Sequence, residues 1–227
     1  MRHYAATAPA DRQALLGVLL SRPAWAGRTL DAVADGRLER SELNAFHARQ
    51  IHGFDDPALT AKVTAIWGEL RHSSREKLAA MEQWKQKLAP ARLKNADRRN
   101  GRKIYQTVCG ACHVLNGEGA HVGPELTGSN RDDLDYLLQN VIDPSSVVAK
   151  DYQFSNFIMK DGRVLAGFVR AQNERTLTVQ MIGEVLTVPL SDIQEREPTR
   201  LSMMPEGLLD ALSEAEARDL IGYLMDK

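Results

Sequence analysis

Cys109-Gly110-Ala111-Cys112-His113 places two thiols three positions apart, with an imidazole directly after the second. Thiols at that spacing can form two thioether bonds to one porphyrin, and the adjacent imidazole can ligate its iron. C-x-x-C-H is the signature of c-type haem attachment. The chain has no other cysteine, so none is left for disulfides or a four-thiolate metal site. Two rival chemistries use the same residue types. A thioredoxin-like redox pair opens a helix after a strand in an alternating α/β domain, whereas here a helical pattern leads into the motif. A zinc site needs four ligands, and few other histidines are spaced to complete one.

Three stretches of different pattern surround the motif. Residues 1–95 read as a helical region with its linker. Leu15, Leu16, Val18 and Leu19, then Leu30 and Val33, then Leu43, Phe46 and Ile51 recur at intervals of three and four. Pro57 after Asp55-Asp56 suits a helix start, and Val63, Ile66, Trp67 and Leu70 make a further apolar stripe. Short helices of this kind resemble the end piece of an α-solenoid, with a plain helical bundle as the alternative. The Lys- and Arg-rich run from residue 71 to 102 reads as a solvated helix face or linker.

Residues 96–227 read as one domain. A helix leads into Cys109, Gly123-Pro124 opens a loop, and a helix is expected over 129–142, ended by Asp143-Pro144. Residues 151–197 switch to strand character. Asp161-Gly162 and Gly183-Glu184 are turn pairs between alternating apolar runs, which predicts three or four strands in a small antiparallel sheet or barrel. Ser213 with Glu216 forms a capping box for a terminal helix whose apolar face is Leu220, Ile221 and Leu224. The expected class is mainly α, with a β insertion.

The formal charge of −1 gives no bulk signal for a nucleic acid or other polyanion. No apolar run approaches the roughly 20 residues that span a bilayer. Met1-Arg2-His3-Tyr4 does not start a secretory signal. Because haem is attached covalently outside the cytoplasm as a rule, the chain is expected to be a fragment of a longer exported, periplasmic or similarly located protein.

Residues 101–113, 123–128 and 204–223 resemble class I cytochrome c. Together with the Asp161-Gly162 strand pair and Met203-Met204-Pro205, residues 98–227 are similar to the PVC-type (planctomycete-type) haem-binding domain. That module stands at the carboxyl end of multidomain proteins with a dehydrogenase-like propeller and HEAT-type helices upstream. The resemblance implies a cytochrome c-like fold preceded by a HEAT-like region, and one covalent haem c. Cys109 and Cys112 would be the anchors and His113 the proximal ligand. Pro124 would supply the carbonyl that holds the imidazole. Met204 would be the distal ligand, with Met203 its close rival; a thioether favours ferrous iron. His121 lies too near His113 in sequence to reach the opposite face, and His3, His47, His52 and His72 read as surface or packing residues.

By the same resemblance, Gly101 would let the first and last helices cross, with Tyr105 and Tyr223 filling the contact. Leu126, Leu137, Leu138, Val141 and Leu208 would line the haem pocket. Arg131, Arg196 and Arg200 are candidates for the propionates, with solvated surface positions the equal alternative. The implied role is electron transfer between an upstream dehydrogenase domain or redox partner and another carrier, without bond-making chemistry of its own. The alternative is a gas sensor or peroxidase-like site with an open distal position. The β insertion either covers a haem edge, docks a partner, or only extends the fold.

Overall fold

The computed structural model describes Tyr4, Thr7 and residues 9–226; His3 lies outside the described residues. The chain runs through α1 (Pro9–Leu19), α2 (Pro23–Ala34), α3 (Ala45–His52), α4 (Pro57–Ile66) and the short strand β1 (Gly68–Leu70). It continues with α5 (Arg75–Lys87), α6 (Pro90–Leu93), α7 (Arg98–Val108), the hairpin β2 (Val114–Leu115) and β3 (Glu118–Gly119), α8 (Leu134–Ile142) and β4 (Val147–Ala149). Five strands follow: β5 (Ser155–Met159), β6 (Val164–Gln172), β7 (Thr176–Gln180), β8 (Val185–Pro189) and β9 (Ile193–Pro198). The terminal helix is α9 (Glu214–Leu224). These elements form two compact units. One comprises residues up to His72 with Ser146–Lys150, the other Ser73–Ser145 with the chain from Asp151 onward.

In the first unit α3 and α4 start where the sequence supplies a side-chain cap, while α2 starts at Pro23 without one. Asp56 accepts from the amides of Ala58 and Leu59, with Pro57 in the first turn of α4. Asn44 and His47 cap α3 reciprocally: the Asn44 side chain accepts from the His47 amide, and His47 Nδ1 accepts from the Asn44 amide at 3.3 Å. Leu16, Leu20, Leu30, Ile51 and Val63 are fully buried in one core, each contributing roughly 1.5–3 kcal/mol through apolar burial. The inward face of α1 is set by Leu16 and Leu20, while Val18 is 57% exposed; three-to-four spacing alone did not fix that phase. Trp67 donates its indole N–H to the Leu43 carbonyl at 2.8 Å. Strand β4 returns to this unit and pairs antiparallel with β1, Gly68 opposite Ala149.

In the second unit α7 and α9 cross. A Cβ on Gly101 would strike the Asp219 backbone carbonyl, so glycine there permits the approach, and one on Gly222 would strike Ala96 Cβ in the connection that leads into α7. Asp219 locks the crossing, accepting from the Asp97 amide at 3.0 Å and from Asn100 Nδ2 at 2.9 Å. Burial opposes its ionisation, but these bonds and Arg218 together hold its carboxyl below the usual range. Helix α5 packs on α8, with Trp84 and Leu88 buried in the same core. Of the two readings of the Lys- and Arg-rich run, solvated helix face or linker, α5 fits the helix face, with Trp84 on its packed side. Helix α8 begins at Leu134 rather than at residue 129, because Asp133 caps it by accepting from the Tyr136 amide.

The inserted sheet is antiparallel throughout, in the order β8-β7-β6-β5-β9. Phe157, Met159, Leu177 and Val179 give it a core of its own. The two expected turns are present, with Gly162 at φ +87° and Gly183 at φ +85°. The sheet has five strands, one more than the sequence pattern gave. Strand β9 is a charged edge in which Ile193 alone is shielded from solvent, so it lacks the alternation by which strands are read.

His47 gives a testable pH dependence. Burial pushes its pKa from 6.5 down to about 4, against a smaller opposing effect of a hydrogen bond with the Gln13 backbone. The unfolded chain takes up that proton near pH 6.5 and the folded chain only near pH 4, so stability is full above about 6.5 and drains as the pH falls between the two. The loss is on the order of 3 kcal/mol once both forms are protonated. His47→Gln can keep the capping box but cannot titrate. Chemical denaturation at pH 7 and pH 4.5 should show a smaller drop for His47→Gln than for the unaltered chain; equal drops would rule His47 out as the source.

Candidate haem site

Helix α7 starts where Asp97 accepts from the amides of Arg99 and Asn100. It ends where the Tyr105 carbonyl accepts from both Cys109 N–H, at 2.8 Å, and Gly110 N–H, at 2.7 Å. The chain then wraps tightly on itself. The Cys109 carbonyl accepts from the amides of Cys112 and His113 at 3.0 and 2.9 Å. Both cysteines and His113 are half-buried, and Cys109 packs against the apolar core that holds Leu137 and Leu138.

A loop is zipped onto this turn. Ala120 donates to the Gly110 carbonyl at 3.0 Å, and Val122 and Gly123 both donate to the Cys112 carbonyl at 3.1 and 2.7 Å. Leu126 donates to the Val114 carbonyl at 2.8 Å. The loop thereby delivers Pro124, whose carbonyl oxygen lies 2.7 Å from His113 Nδ1. A carbonyl only accepts, so Nδ1 carries the hydrogen and the Nε2 lone pair is left to bind a metal. Burial pushes the His113 pKa down, partly offset by this bond, and the neutral ring is the ligating form. Gly123 lies on the ring itself: a Cβ there would come within 2.6 Å of His113 Cε1.

Sequence reasoning treated Tyr105 only as packing. Its ring does meet Tyr223 at 5.7 Å between centroids, but its hydroxyl lies 2.6 Å from the His113 carbonyl and 3.0 Å from that of Glu118. It thus ties the His113 backbone to the β2–β3 hairpin. The turn residues of that hairpin, Asn116 at φ +52° and Gly117 at φ +80°, are the Asn-Gly pair that two-residue hairpins favour. That signal was in the sequence. Gly119, at φ +116°, leaves no room for a Cβ beside the His113 carbonyl.

Met203 and Met204 lie outside this knot, half-buried in the irregular chain between β9 and α9. Ser202 anchors their segment: its amide donates to Ser145 Oγ, and its hydroxyl accepts from the Met204 amide, each at 3.1 Å. His121 is exposed. Leu126, Leu137, Leu138 and Val141 belong to the core next to Cys109, but Leu209, not Leu208, is the buried leucine of the last loop. Arg131 does not face solvent or a free anion. It is buried and donates to the Leu224 carbonyl at 2.7 Å and to that of Asp226, closing the end of α9. Arg196 donates to Ser155 Oγ at 3.3 Å and lies over the Phe157 ring.

Residues 98–164 match the family model for cytochrome c. The match supports a cytochrome c-like haem domain in this part of the chain. No curated protein matches the chain. The residues present suit that group: two thiols beside an apolar core, and an imidazole with one nitrogen tied and one free. The cytochrome c domain implies haem binding and a redox partner. Among the described residues, no cluster of three or more His, Cys, Asp or Glu could hold a metal ion, and no helix is long and apolar enough to cross a membrane.

The contact of Gly123 with the ring is testable without haem. Gly123→Ala should cost about 1–3 kcal/mol by overpacking and push the imidazole off the Pro124 carbonyl. Nitrogen NMR of the His113 ring should change from the Nδ1-protonated tautomer to a mixture; an unchanged tautomer and stability would show that the ring has room to spare.

Proposed function

We propose that this chain is an electron-transfer module carrying one covalent haem c. Cys109 and Cys112 anchor the porphyrin, His113 is the proximal ligand, and Met204 is the distal ligand, with Met203 as the alternative. The observation that carries the reading is the 2.7 Å contact between His113 Nδ1 and the Pro124 carbonyl, directly beside the two thiols. It fixes the tautomer and orientation that an iron ligand needs. The haem supplies a one-electron couple between ferric and ferrous iron. The residues hold it, exclude water from one side through the Leu137–Leu138 core, and keep the ligand ring from rotating. A filled coordination sphere leaves no open position for a substrate, so the module is not an enzyme in its own right.

Within that reading the chain belongs to the PVC-type haem-binding class, and the helices of the first unit are a HEAT-like spacer preceding the haem module. Electrons arrive from a dehydrogenase domain or redox partner and leave to another carrier. The location is periplasmic or otherwise outside the cytoplasm, where covalent haem attachment takes place.

Intact mass and absorption spectra of both redox states test the core of this. The expected result is a mass increase of one haem and a six-coordinate low-spin spectrum with the weak red band of a ferric thioether ligand. Met204→Ala should abolish that band, lower the midpoint potential and admit carbon monoxide to the ferrous protein, while Met203→Ala should leave all three unchanged. The reverse assignment of the two variants would make Met203 the ligand. Rapid carbon monoxide binding by the unaltered protein would replace electron transfer with the gas-sensor or peroxidase-like reading.

A further inference from the structure

Arg170 sits at an irregularity of the inserted sheet. Strand β6 pairs with β7 through Val169 opposite Val179 and then Ala171 opposite Thr178, so the register slips between Val169 and Ala171 and leaves Arg170 without a partner residue on β7. Such a bulge re-aims the side chain it carries. The Arg170 guanidinium lies over the Phe168 ring, 5.4 Å from its centroid. From there Nη2 reaches two carbonyl oxygens, those of His121 and Val122, at 3.4 Å each. Those residues belong to the loop that brings Pro124 to His113. Nearby, the β7–β8 turn meets the same loop across a cleft, with Glu184 and Val185 on one wall and His121 and Val122 on the other.

We propose that Arg170 is a positioning residue for the haem ligand: the inserted sheet uses it to hold the 120–124 loop in place, so that the Pro124 carbonyl stays on His113 Nδ1. The inference rests on the haem reading only for its purpose; the mechanical link is between groups of the chain itself. Bonds from a charged donor to two successive carbonyls restrain the loop on the side away from Cys112. The Cys112 carbonyl restrains it on the other, through Val122 and Gly123. On this account the sheet is neither a bare extension of the fold nor only a cover, but a brace for the proximal side.

Hydrogen exchange resolved at single amides tests the brace in the full chain. In Arg170→Gln the amides of Val122 and Gly123 should exchange faster by on the order of tenfold, as expected for losing a charged hydrogen-bond donor at one edge of a loop. Leu177 and Val179, in the sheet core, should exchange as before. Arg163→Gln, which removes an exposed arginine paired with Asp161 on the same sheet, should leave Val122 and Gly123 unchanged. Nitrogen NMR of the His113 ring should show the Nδ1-protonated tautomer giving way to a mixture in Arg170→Gln, which a role confined to the sheet would not produce, and an unchanged tautomer would overturn the proposal. Unchanged exchange at Val122 and Gly123 would overturn the proposal. So would faster exchange throughout the sheet, since Arg170 would then serve the sheet's stability rather than the loop. The exchange measurement works with or without haem, so a colourless chain would count against the haem reading and leave this result to stand or fall separately.

Discussion

An imidazole is a reliable metal ligand only if something else decides which nitrogen it offers. In this chain a backbone carbonyl decides it, and much of the second unit is arranged so that this carbonyl cannot drift. Pro124 is delivered by a loop whose amides bond to the Cys112 and Gly110 carbonyls. The His113 backbone is pinned from the other side by the Tyr105 hydroxyl. Gly119 and Gly123 are bare because a Cβ at either would enter space that His113 occupies. The constraint is geometric before it is electronic: carbonyl, ring and thiols come together through backbone bonds between residues 109 and 126.

That local knot still needs a wall, which the crossing of α7 and α9 provides. Tyr105 is fully buried at the crossing, so the hydroxyl that holds the His113 backbone inherits its position from a helix pair. The pair can close because Gly101 lacks a side chain, and it is kept in register by the hydrogen bonds of Asp219. A buried carboxylate with these donors is expensive to disturb, because removing a donor leaves part of the charge uncompensated. Arg131 plays the matching part at the other end of α9 by capping its last carbonyls.

The sequence exposed the motif because attachment chemistry fixes residue type and spacing. The caps at Asp56 and Ser213 and the turns at Gly162 and Gly183 were legible for a similar reason: each is a local interaction within four residues. What stayed hidden depends on tertiary partners. Nothing in the neighbours of Arg131 tells that its guanidinium ends inside the protein on carbonyls more than ninety residues away. Strand β9 was missed because a solvated edge needs no apolar alternation, and Val18 was placed inward because a short helix pattern leaves its phase open. The lysine- and arginine-rich stretch showed a solvated helix face but hid the packed side of α5, since composition averages over both faces while Trp84 and Leu88 are buried. The Arg170 bulge has no sequence signature, because it is a property of how two strands pair.

The position of the cysteines at the end of a helix bears on the rival redox-pair chemistry. A C-x-x-C pair that cycles between dithiol and disulfide gains from lying at a helix N-terminus, where the positive end of the dipole stabilises the thiolate. Here Cys109 is the C-terminal cap of α7, where the dipole opposes negative charge. Burial, and to a lesser extent Cys112 beside it, push its thiol up to about 12. No strand precedes the helix in the manner of an alternating α/β domain; α7 follows α6 in a helical run. The surroundings therefore keep both sulfurs neutral, and Cys109 packs on an apolar core. That environment disfavours a thiolate nucleophile and suits sulfur that ends as a thioether against a flat hydrophobic ring. The histidine beside them fits the same picture, since a neutral ring held by a carbonyl contributes no positive charge that would draw the thiols toward ionisation.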